Sequence, residues 1–132
     1  MDKKLEKIIL EKGKSYIPKL APKNIKRGNV GDCFDTSIVA ALKHNLKYVE
    51  GMARNPHTGE WILHAWVSDG VHAFDLTWYA ENAWGEIFAV QTEYVGVEMD
   101  TMLVCDFMKA TGYKSVFNNA WRDQERANKI LC

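Results

Sequence analysis

The sequence has few cysteines, no long apolar run and no net charge, and each absence argues against a class of protein. Cys33, Cys105 and Cys132 are too few and too scattered for a disulfide framework. No Cys-x-x-Cys pair or tight His/Cys cluster is present, so we expect neither a structural zinc site nor another metal. No window approaches the roughly 20 apolar residues of a membrane-spanning helix, and the charged N-terminus lacks a signal peptide's apolar stretch. We therefore expect a cytoplasmic protein without membrane contact.

The absence of net charge conceals an uneven distribution of charge along the chain. The 17 basic and 17 acidic side chains balance, which argues against a dedicated nucleic-acid binder. Residues 1–27, however, hold nine Lys/Arg and three Asp/Glu, a net of +6, and residues 28–132 have a net of −6. This basic N-terminal segment either lies over the acidic body or in solvent, or it is an arm that docks an anionic partner. The sequence leaves both interpretations open.

Large apolar side chains are plentiful. The 132 residues are 47% hydrophobic and include five Trp, five Tyr and five Phe, which indicates a core built from large rings. A chain of this length usually forms one domain. We expect a single domain over residues 1–132, with residues 1–27 as a basic N-terminal helix and extended arm.

Apolar spacing predicts an α+β protein in which helices pack on consecutive antiparallel strands. Helices are expected over about 2–12, 34–47, 100–111 and 119–131. Strands are expected over about 48–54, 60–68, 71–78 and 93–98. Pro18 and Pro22 indicate an extended connection between the first helix and residue 28.

Cys33 is the first candidate for chemistry. It follows a turn containing Gly28 and Gly31 and lies in the first turn of a predicted helix. Unpaired amides at a helix N-terminus carry partial positive charge and favour the thiolate, which is the nucleophilic form. Glycines before the thiol allow a substrate backbone to approach closely. A cysteine at this place can also be inert packing.

A predicted hairpin brings a histidine and a carboxylate together. If Asp69-Gly70 forms a two-residue turn, Ser68 lies opposite Val71, and His64 then lies opposite Asp75. Opposed residues of an antiparallel pair project from one face. The pair would either satisfy two polar groups in the sheet, or it would orient a general base that accepts the Cys33 proton.

Two segments resemble a known superfamily. Gly31-Asp32-Cys33-Phe34-Asp35-Thr36-Ser37 is similar to the nucleophile motif of papain-type enzymes. His64-Ala65-Trp66-Val67 with Asp75-Leu76-Thr77-Trp78 resembles the His-Ala-Trp-Val … Asp-x-Thr-Trp signature of the transglutaminase-like superfamily. The similarity spans residues 28–78, and the order Cys, His, Asp fits that superfamily better than papain itself.

The resemblance implies a papain-like/transglutaminase-like core with Cys33, His64 and Asp75 as catalytic triad. It implies a thioester with a peptide or amide carbonyl, transfer of the acyl group to water or an amine, and no cofactor. Papain-like enzymes usually have Gln six residues before the cysteine, where this chain has Arg27. Asn29 or Asn24 would then assist the Cys33 amide in holding the oxyanion.

Four further side chains are expected around the thiol. Asp32 and Asp35 flank Cys33, and negative charge there disfavours the thiolate unless Arg27 pairs with one of them. Trp66 and Trp78, with Asp32, are the candidates for shaping a substrate cleft. Cys105 lies among apolar helix residues and is expected to pack as a small hydrophobe.

Three functions remain open at this stage. The first is a cysteine protease-like hydrolase or acyltransferase acting on a peptide or protein substrate. The second is a catalytically inactive binding module of the same fold that regulates or inhibits a partner protein. The third is an amidase or deamidase of small molecules.

Overall fold

A computed structural model describes residues 3–119 and shows mixed α and β structure, which confirms the predicted α+β class. The helices are α1 (Lys3–Lys12), α2 (Cys33–His44), α3 (Thr101–Thr111) and α4 (Val116–Asn119). The strands are β1 (Lys14–Pro18), β2 (Lys47–Arg54), β3 (Trp61–Ser68), β4 (His72–Phe74), β5 (Tyr79–Glu81), β6 (Ile87–Ala89) and β7 (Tyr94–Met99).

Five strands close into a barrel in the order β1-β4-β3-β2-β7. The β2-β3-β4 part is the predicted antiparallel meander, and β7 joins it antiparallel to β2. Strand β1 closes the barrel by pairing parallel to β4 and antiparallel to β7. Strands β5 and β6 form a separate two-stranded sheet within residues 79–89, where no strand was predicted.

The basic N-terminal segment is part of the fold. Helix α1 forms as predicted and buries Leu5 and Ile9 in the core. Within the segment expected as an extended arm, residues 14–18 form the closing strand of the barrel, a pairing that was not predicted. Lys14 ends 3.3 Å from Glu98 of the acidic body. Docking of an anionic partner by the remaining basic side chains stays a prediction.

Strand alternation divides the apolar side chains into two cores. The smaller core lies inside the barrel around Trp66, with Tyr16, Val49, Ala53, Ala73 and Tyr94. The larger core lies between the outer face of the barrel and the helices, and α2 packs chiefly on β3. The alternating residues Tyr48 and Met52 of β2 face this outer core.

The connection between β3 and β4 differs from the predicted two-residue turn. Ser68 pairs with Ala73, and Val67 with Phe74, so the register is displaced by two residues. The Asp69 carboxylate accepts hydrogen bonds from the backbone N–H groups of Val71 and His72, at 2.9 and 2.8 Å. This side-chain turn lengthens the loop and shortens β4.

The helix ends follow local capping chemistry. Helix α2 ends at His44, three residues before the predicted end, because Asn45 adopts a left-handed conformation with φ of 52°. Helix α3 is as predicted: the Asp100 side chain accepts from the Leu103 N–H at 3.0 Å, and Gly112 follows the last turn. Apart from residue 119, which ends α4, the predicted helix over 119–131 lies outside the described residues, as does Cys132. No helix between residues 3 and 119 is long and apolar enough to cross a membrane.

Candidate active site

Cys33 is the first residue of α2, which begins one residue before the predicted start. The preceding Gly31 has φ of 97°, a conformation that favours glycine and turns the chain into the helix. The Cys33 residue is 7% exposed. The first N–H groups of a helix have no acceptor within the helix, and the Asp32 side chain makes no capping hydrogen bond to those of α2. Their partial positive charge can stabilise a thiolate or an oxyanion there.

His64 and Asp75 form a buried pair across β3 and the end of β4. His64 Nε2 lies 2.7 Å from Asp75 Oδ2, and both side chains are almost completely buried. The displaced register does not separate them, because a shift of two residues keeps every side chain on its original face. His64 and Asp75 are therefore diagonal neighbours on adjacent strands rather than directly opposed residues.

The Asp75 carboxylate is held at both oxygens. Oδ2 also accepts a hydrogen bond from the Tyr94 hydroxyl at 2.7 Å. Oδ1 accepts from the backbone N–H groups of Thr77 at 3.1 Å and Trp78 at 3.0 Å. These contacts explain the spacing of the Asp75-Leu76-Thr77-Trp78 motif, since the chain folds back so that its own amides fix the carboxylate. The carboxylate in turn fixes the orientation of the His64 ring.

His64 lies between the carboxylate and the thiol. Burial lowers the pKa of His64, but the charge and hydrogen bond of Asp75, followed by the Cys33 side chain, raise it to about 9. Because Nε2 faces Asp75, Nδ1 is the ring nitrogen left for the Cys33 thiol. Trp78 stacks on the His64 ring with centroids 4.2 Å apart. The arrangement favours a protonated imidazole beside Cys33.

A cavity of about 520 Å³ opens at the triad. Val30, Gly31, Cys33 and Phe34 form one wall, at the start of α2. The β2–β3 loop and β3 form the second wall through Asn55, Pro56, His57, Ile62, Leu63 and His64. Thr77, Trp78, Tyr79 and Val90 form the third. We refer to this cavity as the cleft. Trp78, a predicted cleft residue, is among the residues that line it.

Three predicted site residues lie elsewhere. Asn29 and Asp32 line a second cavity of about 580 Å³ on the other side of the start of α2, with Arg27. Asn29, Asp32 and Asn24 are not among the described residues that line the cleft, and an oxyanion role for Asn29 stays a prediction. Trp66 is completely buried inside the barrel, so its prediction as a cleft wall is also wrong.

The proposed ion pair of Arg27 is also corrected. Arg27 Nη2 donates to the carbonyl oxygen of Ala21 at 2.9 Å. Asp35 instead pairs with Lys114, whose Nζ lies 2.8 Å from Oδ2. The positive charge that offsets Asp35 therefore comes from Lys114, in the segment after α3. The sequence around Cys33 gives no sign of this distant partner.

Tyr94 is the main site residue that sequence reasoning missed. Its hydroxyl reaches Asp75 only because β7 and β4 belong to the same closed barrel. Burial, then the charge and hydrogen bond of Asp75, raise the pKa of Tyr94, so the hydroxyl stays protonated and donates. The only sequence signal was its place at the start of a predicted strand.

The remaining histidines do not join the triad. His72 Nδ1 lies 2.8 Å from Asp69 Oδ2 in the β3–β4 loop, and His44 lines the second cavity. His57 lines the cleft at the β2–β3 loop. Among residues 3–119, no group of three or more His, Cys, Asp or Glu side chains is arranged to hold a metal ion.

No protein-family model, curated protein or solved structure matches this chain. Its chemistry must therefore be inferred from the residues of the site itself.

Proposed function

We propose that this protein is a thiol-dependent hydrolase or acyltransferase acting on a peptide or amide bond through Cys33, His64 and Asp75. The observation that carries the proposal is the buried His64–Asp75 hydrogen bond of 2.7 Å, with the Cys33 side chain acting on the same ring. A thiol at a helix start, a base and an orienting carboxylate are the parts that covalent acyl transfer requires.

In the proposed reaction, Cys33 Sγ attacks the substrate carbonyl after its proton passes to His64. The N–H groups at the start of α2 stabilise the negative charge on the carbonyl oxygen. The bond between carbonyl carbon and amide nitrogen then breaks, and the leaving amine takes the proton from His64. Water or a second amine attacks the thioester and gives its proton to His64, which releases the product and restores the thiol.

We also propose that the barrel and α2 form a small papain-like/transglutaminase-like core. The order Cys, His, Asp, the nucleophile at the N-terminus of a helix, and the packing of that helix on the strand carrying the histidine support this relationship. The proposed location is the cytoplasm.

A catalytically inactive binding module of the same fold is the second candidate. It is favoured by the position of Asn29, because no predicted side-chain donor faces the cleft to hold an oxyanion. In that case the cleft would bind a segment of a partner protein without cleaving it.

Acylation of the thiol separates the two candidates. We expect p-nitrophenyl acetate to acetylate Cys33, with the mass of one acetyl group on the Cys33 peptide and p-nitrophenolate release beyond one equivalent. Cys33→Ser and His64→Gln should abolish turnover, and Cys105→Ser is the matched control because Cys105 lies on α3, away from the cleft. Absence of acetylation at Cys33 in the folded protein would favour the binding module.

A further inference from the structure

The cleft has an unusual charge composition for a protein that is 26% charged. Among residues 3–119, none of those that line it is Asp, Glu, Lys or Arg. The second cavity, by contrast, is lined by Lys26, Arg27, Asp32, Asp35 and Lys43. The His64 imidazolium of the cleft is already paired with Asp75, so a charged substrate group there would lose hydration without gaining an unpaired ionic partner among the described lining residues. The cleft therefore suits an uncharged group.

The walls next to the triad are apolar and aromatic. Ile62 and Leu63 precede His64 on β3, and Phe34 follows Cys33 on α2. Trp78 and Tyr79 lie across from them. Burying a large aliphatic side chain against such surfaces removes apolar area from water and is favourable. The position beside the reacting carbonyl therefore suits an apolar side chain.

The far end of the cleft lies at a defined distance from the triad. The Asn55 N–H donates to the carbonyl of Glu60 at 2.8 Å, which places Asn55 opposite Glu60. Glu60 is four residues before His64, and at about 3.3 Å per strand residue this separation is about 13 Å. An extended peptide of about four units covers the same length.

Asn55 has a hydrogen-bond donor to offer at this end. Its Oδ1 accepts from the backbone N–H groups of His57 at 2.8 Å and Thr58 at 3.3 Å, which fixes the orientation of the side-chain amide. Within residues 3–119, Nδ2 has no acceptor among the hydrogen bonds of this loop. A substrate carbonyl at the end of the cleft would satisfy this donor.

We propose that the cleft binds the acyl side of an uncharged peptide segment, with an apolar residue beside the reacting carbonyl and a backbone carbonyl about 13 Å away that accepts from Asn55. The inference rests on the proposed acyl-transfer function. The acyl side is assigned to the cleft because the acyl group must stay bound as a thioester while the leaving group departs. Asn55 is a specificity residue in this account.

The first test compares p-nitrophenyl esters of N-acetylated peptides by the rate of Cys33 acylation. We expect the Ala-Ala-Ala-Leu ester, whose acetyl carbonyl lies four units before the reacting carbonyl, to react at least tenfold faster than the Ala-Ala-Ala-Glu and Ala-Ala-Ala-Lys esters, and severalfold faster than the ester of acetyl-leucine alone. Equal rates for all four esters would overturn the inference while leaving acyl transfer at Cys33 in place. Acylation by none of them, nor by p-nitrophenyl acetate, would overturn the proposed function itself.

The second test changes the cleft without removing its turn. Asn55→Asp keeps an oxygen for the N–H groups of His57 and Thr58 but replaces the Nδ2 donor, so the rate ratio of the Ala-Ala-Ala-Leu ester to the acetyl-leucine ester should fall toward one. Ile62→Glu should raise the rate of the Lys ester relative to the Glu ester. Val39→Glu, which adds the same charge on the exposed side of α2 in the second cavity, should leave both ratios as in the wild type. Unchanged ratios in Asn55→Asp and Ile62→Glu would contradict the proposal.

Discussion

At the scale of single residues, the site depends on how His64 is held. Asp75 accepts from one ring nitrogen, Trp78 covers a ring face, and the Cys33 side chain contributes to raising the pKa of His64. Asp75 is itself fixed by Tyr94 and by amides of the chain that follows it. The imidazole therefore has one orientation before any substrate binds, which reduces the reorganisation needed during proton transfer.

Replacing Asp75 by Asn should impair turnover more than folding. The amide keeps the volume of the carboxylate, but an NH₂ group at Oδ2 would face the donors His64 and Tyr94. We expect turnover to fall by roughly 10²–10⁴-fold, the usual contribution of a positioned general base. Tyr94→Phe, which removes only one hydrogen bond to the same oxygen, is the matched control and should lose less activity. A Tyr94→Phe loss equal to that of Asp75→Asn would contradict this assignment.

The raised pKa of His64 predicts a pH dependence of stability. The unfolded chain binds this proton with a pKa of about 6.5, and the folded protein binds it more tightly. The contribution of His64 to stability is therefore complete below pH 6.5 and is lost as the pH rises toward about 9. Urea denaturation should show the free energy of unfolding falling over this range, and falling less in His64→Gln. His72→Gln is the control, and identical slopes in all three proteins would count against the account.

At the scale of elements, loops and caps determine where the site residues lie. Sequence spacing located Cys33 at the start of α2 and placed His64 and Asp75 on one face. It did not predict the Asp69 side-chain turn, which displaces the register by two residues. The pair survives this error because side-chain direction in a strand repeats every two residues. A displacement by one residue would have separated them.

The buried carboxylate of Glu50 connects two distant segments of the chain, and local sequence patterns do not predict this contact. On β2, its carboxylate accepts hydrogen bonds from the Tyr48 and Ser115 hydroxyls and from the N–H groups of Val116 and Phe117. Burial raises the pKa of Glu50, although these hydrogen bonds lower it. The carboxylate thereby anchors the segment after α3 to the barrel.

Glu50→Ala should therefore be strongly destabilising. The change leaves several buried donors without an acceptor, each costing about 1–3 kcal/mol, so we expect a loss of about 3 kcal/mol or more in the free energy of unfolding. Chemical denaturation followed by circular dichroism measures this loss. Glu93→Ala, which removes an exposed carboxylate paired with Arg54, is the control and should cost under about 1 kcal/mol. Equal losses in the two variants would refute the anchoring role.

At the scale of the whole molecule, barrel closure explains what the sequence could and could not reveal. Helix α1, the β2-β3 pair and α3 follow from local apolar spacing and caps. The closing role of residues 14–18, the contact of Tyr94 with Asp75 and the interior position of Trp66 depend on pairings between distant segments. Local periodicity contains no information on which strands meet, so these features could not be predicted.

Gly96 allows the barrel to close around Trp66. A Cβ atom there would lie 2.7 Å from Trp66 Cζ2 and 2.7 Å from Val49 Cγ1. Gly96→Ala should lower the free energy of unfolding by about 1–3 kcal/mol, the cost of overpacking a core. In urea denaturation, the double variant Gly96→Ala/Trp66→Phe should lose less free energy of unfolding than the sum of the losses in the two single variants. Wild-type stability of Gly96→Ala would show that the barrel interior accommodates the added methyl group.

The most direct measurement of the central claim is the alkylation rate of Cys33 by iodoacetamide as a function of pH, resolved by peptide mass mapping. Cys105 is an internal control, because burial raises its pKa and disfavours its reactive form. We expect Cys33 at pH 6.5 to react roughly tenfold or more faster than N-acetylcysteine, and to lose this advantage in His64→Gln. A Cys33 rate no higher than that of N-acetylcysteine, unchanged by His64→Gln, would contradict a nucleophilic triad in this protein.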